Sequence, residues 1–117
     1  MANDFKTKRV AFANFAPTTA ATYESDVIIP KGAIVTSIIT VEGTTMASGT
    51  NAIFKVGTQA ISDTVLLAEF TGVDSHDAAA GDGTIVAADG TLNVTTTGTF
   101  TGDIDTYVEY YFVEDHT

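Results

Sequence analysis

The run Ala33-Ile34-Val35-Thr36-Ser37-Ile38-Ile39-Thr40-Val41-Glu42 decides the fold class. It is dense in β-branched side chains, free of glycine and proline, and far shorter than a membrane span. In an extended chain Ile34 and Ile38 face one way while Val35, Ile39 and Val41 face the other. That pattern predicts a central strand covered on both sides. Pro30-Lys31-Gly32 in front of it supplies the turn chemistry that ends the preceding strand.

Working outward, the same grammar recurs. Lys8 to Ala13 alternates, with Val10 and Phe12 on one face, until Ala16-Pro17-Thr18-Thr19 interrupts it. Thr22 to Ile29 places Tyr23, Val27 and Ile29 together. After the central strand, Gly43 to Thr50 reads as a small-residue loop, followed by a strand carrying Ala52, Phe54 and Val56. Thr64 to Phe70 reads as a fifth strand, Gly72 to Gly83 as a long loop and Thr84 to Val86 as a short strand. Asp89-Gly90 is a hairpin-type turn signal, and Leu92, Val94 and Thr96 alternate after it. The last strand, Thr106 to Val113, sets Val108, Tyr110 and Phe112 against Tyr107, Glu109, Tyr111 and Val113.

No stretch holds a 3.6-residue apolar period. About eight short strands therefore predict an all-β fold: a two-sheet antiparallel sandwich, with a jelly roll preferred to an immunoglobulin-like arrangement. At 117 residues there is room for one core. Residues 10–117 read as a single domain and residues 1–9 as an extended N-terminal arm.

Composition narrows the function classes. With 44% hydrophobic residues the chain can fill a core despite a formal charge of −10. Three of the five basic residues, Lys6, Lys8 and Arg9, sit in the first ten positions, so the body is more acidic than the whole. Such a body repels phosphate backbones, which argues against nucleic acid as a partner. No membrane segment and no secretory h-region is expected. The absence of cysteine removes thiol nucleophiles, disulfides and zinc–thiolate sites.

Candidate chemistry is sparse. The histidines are His76, in the expected long loop, and His116, near the C-terminus; neither has a nucleophile motif beside it. Glu69, Asp103, Asp105 and Glu109 are the carboxylates a glycosidase would need to pair across a cleft. Asp74, Asp77 and Asp82 near Gly81 and Gly83, and Asp103-x-Asp105, offer hard oxygen ligands without the EF-hand spacing. Ordinary turn chemistry is the first reading of those clusters and a structural calcium the alternative. The residues predict no enzyme and no cofactor. Tyr107 and Tyr111 on the closing strand are the subunit-interface aromatics this reading selects. Phe5, Lys6, Lys8 and Arg9 are its partner-contact arm.

The chain resembles the small β-sandwich cement, or decoration, proteins of tailed bacteriophage heads. The resemblance rests on Lys8-Arg9-Val10-Ala11-Phe12, on Asp26 to Thr36 through Pro30-Lys31-Gly32, on Val56-Gly57-Thr58 and on Asp105 to Tyr111. It implies a jelly-roll-like protein, often a trimer, made in the host cytoplasm and seated on the capsid exterior. Its partner would be the major capsid protein, whose neighbouring subunits it clamps. A carbohydrate-binding or receptor-attachment module of a fibre is the alternative.

Overall fold

A computed structural model describes the backbone of residues 4–81 and 83–115, and the side chains of residues 8–81 and 83–112. Its strands are β1 (Asp4–Phe15), β2 (Thr22–Ile29), β3 (Ile34–Val56), β4 (Gln59–Ala60), β5 (Val65–Leu66), β6 (Val73–Asp77), β7 (Thr84–Ile85) and β8 (Gly90–Asp115). A single 3-10 turn spans Leu67–Glu69. The strands pair antiparallel throughout and form one hydrogen-bonded sheet.

Two strands organise everything. β3 runs for 23 residues and β8 for 26, antiparallel to each other from Ile34↔Tyr111 to Val56↔Leu92. The strands expected at Ala33–Glu42 and Ala52–Val56 are thus two ends of one strand. The segment from Gly43 to Thr50, expected as a loop, stays in the ladder. It does so through successive register shifts between Glu42 and Asn51, because small residues accept the kinks that bulges impose.

Those bulges bend the ribbon. At about 3.3 Å per residue a straight β3 would span roughly 75 Å, yet the molecule's longest dimension is 54 Å. The turning point is crowded. A Cβ on Gly49 would lie 2.0 Å from Cδ2 of Phe100, so only glycine lets that ring close over the backbone. Ser48 adopts φ 65°, a left-handed conformation uncommon outside glycine.

Bending turns one sheet into two layers. The first contains β1, the C-terminal half of β8, the N-terminal half of β3, and then β6 and β7. The second contains β2, the N-terminal half of β8, the C-terminal half of β3, and then β5 and β4. Phe54 of the second layer stacks on the His76 ring at 6.4 Å and lies tilted 6.4 Å from the Phe15 ring, both in the first layer. Phe100 closes the bend with its edge on Phe70 at 5.7 Å. Ile38, Leu92, Ile104 and Val108 complete a fully buried core. The all-β sandwich expected from the sequence is therefore present, with layers that share strands.

Three local readings change. Val73–Asp77, inside the expected long loop, pairs with β3 as β6. Only Val65–Leu66 of the expected fifth strand is extended, because Glu69 accepts the Leu66 amide and winds the chain into a turn. A bulge between Val35 and Ser37 puts Val35 and Ile38 on the same, inner face.

Residues 4–9, assigned to an arm, pair with residues 110–115 of β8. The β3–β8 ladder begins at Ile34↔Tyr111, so beyond that point β1 and β8 continue as a two-stranded ribbon.

Candidate interaction surface

The inner face of β1 carries Ala11, Ala13 and Phe15, which leaves Val10 and Phe12 pointing outward. Register then dictates what surrounds them. Phe12, Tyr107, Ile39 and Ser75 form one row across β1, β8, β3 and β6. On one side lies the row Asn14, Asp105, Val41 and Val73; on the other lies Val10, Glu109, Ser37 and Asp77. Lys8, Tyr111, Ile34 and Ile85 form the fourth.

This outer face is unusually apolar. Among the described residues six large apolar side chains are exposed, and Val10, Phe12, Val73 and Ile85 of this face are four of them. Val73 is 71% exposed and Phe12 47%. The Phe12 and Tyr107 rings stand 5.0 Å apart with a 49° tilt, within the range of favourable aromatic pairs. A contiguous patch of this kind marks an interaction site more often than chance exposure does.

Its borders are acidic. Asn14 Nδ2 donates to Asp105 Oδ1 at 3.0 Å and also to Asp103 Oδ1, drawing both carboxylates to one edge. Lys8 Nζ pairs with Glu109 Oε2 at 3.0 Å, and Ser37 Oγ donates to the other Glu109 oxygen. Those two hydrogen bonds, Ser37's first and Lys8's next, hold the Glu109 carboxyl below its ordinary pKa. Lys8 is correspondingly raised by the same carboxylate.

The other sequence candidates are dispersed. Tyr107 and Tyr111 lie two rows apart on this face; Lys8 is on it, whereas Arg9 belongs to the inner-facing row with Tyr110. The side chains of Phe5 and Lys6 lie outside the described residues, as do Asp82 and His116. Asp74 accepts the Thr71 amide and hydroxyl, and among the described residues no three His, Asp or Glu side chains converge on a metal site. What sequence reasoning missed is the outward Val10–Phe12 pair. The signal was there in Ala11 and Ala13, whose small alternating side chains suit a close-packed inner layer.

His76 is a core residue. Its Nε2 lies 2.8 Å from Thr40 Oγ1, with Phe70 at 5.4 Å between ring centres. Burial pushes its pKa down, opposed by the charges of Asp74, Glu69 and Asp77. The sign follows: above the ordinary value of 6.5 both folded and unfolded chains hold a neutral ring, and this contribution is complete. Below it the unfolded chain binds the proton first, so stability falls with acidification. Urea melts between pH 7 and 5 should show that decline, and His76→Gln should flatten it. An unchanged slope would contradict the burial argument.

A concavity of about 450 Å³ lies on the outer side of the other layer, lined by Glu24, Lys55, Thr91 and Asn93 among others. Glu24, Asn93 and Lys55 stand in register across β2, β8 and β3. Tyr107 and Tyr111 are absent from its walls.

The architecture and this face together define a small all-β protein with a long bent ribbon and an apolar outer sheet. No family model and no curated protein sequence matches the chain. Its fold matches a chain in the acidic stable capsid structure of Helicobacter pylori bacteriophage KHP30, with a TM-score of 0.65 and 13% identity over 100% of this chain and 99% of that one. It also matches a chain of the cyanophage Pam1 capsid asymmetric unit, with a TM-score of 0.51 and 16% identity over 95% and 86%. At these identities the likeness establishes a shared fold, one that occurs in phage capsid structures.

Proposed function

We propose that the chain is a structural virion protein, a decoration or cement protein on the outside of a phage head that stabilises contacts between major capsid proteins. End-to-end similarity to a chain of the KHP30 capsid structure carries this reading. The exposed apolar sheet supports it, since a binding protein needs such a surface and a catalyst needs a convergent polar one. The role requires neither catalysis nor a cofactor. The protein is made in the host cytoplasm and acts in the virion.

Self-association into a trimer belongs to the same proposal. β1 ends the first layer with an unpaired outer edge among the described strands, and β2 does so in the second. Natural proteins cover such edges, and symmetric copies are one means. Residues 4–9 lie along that β1 edge, and Phe5, Lys6, Lys8 and Arg9 are assigned to an arm that contacts a neighbouring capsid subunit.

Mass spectrometry of particles from the virus encoding the chain should find it in many copies. Light scattering of the purified protein should give three times the 12.2 kDa chain mass. A monomer that is missing from particles would end the proposal.

A further inference from the structure

The geometry points to the outer face of β1, β8, β3 and β6 as the surface that docks on the capsid, and to an unlike protein whose apolar patch is rimmed by Lys and Arg as its occupant. This rests on the capsid-docking reading above.

Size is the first consideration. Four strands at about 4.8 Å and four rows at about 6.8 Å enclose roughly 300 Å² between corner positions. A specific interface needs nearer 800 Å² per partner. Apolar contact over Phe12, Tyr107, Ile39 and Val73 is therefore only the centre, and the occupant must also cover the borders.

Charge on those borders decides which occupant fits. Asp103 and Asp105 line one side of the aromatic row, with Glu109 and Asp77 on the other. Lys8 offsets part of this through its pair with Glu109. A second copy would bring the same carboxylates to the same rim, on a chain already at −10. A partner with basic side chains around an apolar centre meets complementary charge instead. Trimer contacts through the β1 and β2 edges leave this face open, so Tyr107 and Tyr111, expected from the sequence at a subunit interface, are reassigned here to the docking face.

The test uses capsids assembled without this chain as the probe and sedimentation as the readout. Wild-type protein should bind saturably, and less tightly as salt rises. Phe12→Ser and Tyr107→Ser should each weaken binding at least tenfold, and Asp103→Lys with Asp105→Lys should weaken it and reduce the salt dependence. Ile28→Ser, on the other layer, should leave it unchanged. Circular dichroism melts would show that each variant is folded; the paired Asp103 and Asp105 change keeps the question answerable if a core-adjacent variant unfolds. Wild-type binding with all face variants retained would overturn the assignment and leave the capsid reading standing. Failure of wild-type protein to bind capsids would sink both. Loss of the oligomer in Phe12→Ser would show that a copy covers the face, and would also overturn it.

Discussion

Phe54→Ala should cost about 3–5 kcal/mol of folding stability, the range for deleting a fully buried aromatic. Phe54 has no exposed surface, and its ring bridges the two layers, meeting Phe15 and His76. Removing it leaves a cavity between sheets that are connected through backbone and cannot slide together to fill it. Because small domains hold only about 5–15 kcal/mol in total, the variant should melt far below the wild type. Phe54→Leu, which keeps most of the volume, should lose distinctly less. Urea denaturation of the three proteins checks this, and a loss under about 1 kcal/mol for alanine would refute the two-layer account.

Gly49→Ala should be severely damaging for a single added methyl, at about 2 kcal/mol or more, where overpacking usually costs 1–3. Alanine would ordinarily gain a few tenths to 1 kcal/mol by stiffening the unfolded chain. Here the added carbon meets three atoms of the Phe100 ring, the nearest at 2.0 Å, and that ring is fully buried against Phe70. Strain wins. If that is the mechanism, Gly49→Ala combined with Phe100→Leu should lose less than the two single losses added together. Strict additivity would place the cost elsewhere.

Much of this architecture was legible from residue pattern. The alternation of Val108 and Tyr110 against Tyr107, Glu109 and Tyr111 assigned both faces of β8 correctly. Tyr23, Val27 and Ile29 likewise share the inner side of β2. Continuity was the hidden part. Gly43 to Thr50 has the composition of a loop, and only pairing with distant residues such as Asp103 and Thr101 keeps it extended. His76 looked like a solvated loop residue because Val73–Asp77 carries no strong strand signal; β3 recruits it as a partner. The candidate surface was half visible. Tyr107 and Tyr111 stood out by type, while the alternation that puts Val10 and Phe12 on one face does not say which face is inward, since apolar residues are normally the buried ones.

The position of β8 has a consequence for how the molecule comes into being. This strand hydrogen bonds to β1, β2 and β3, and it follows all three in the chain. Until it is made, β1 and β2 lack their ladder partner and β3 can pair only with the short strands β4 to β7, and each pairing with β8 must close a large loop, from Val56↔Leu92 up to Asp4↔Asp115. Such topology folds in milliseconds to seconds rather than microseconds. A nascent chain therefore exposes the edges of β1, β2 and β3 that β8 later covers, and its net negative charge opposes association between such chains in the meantime.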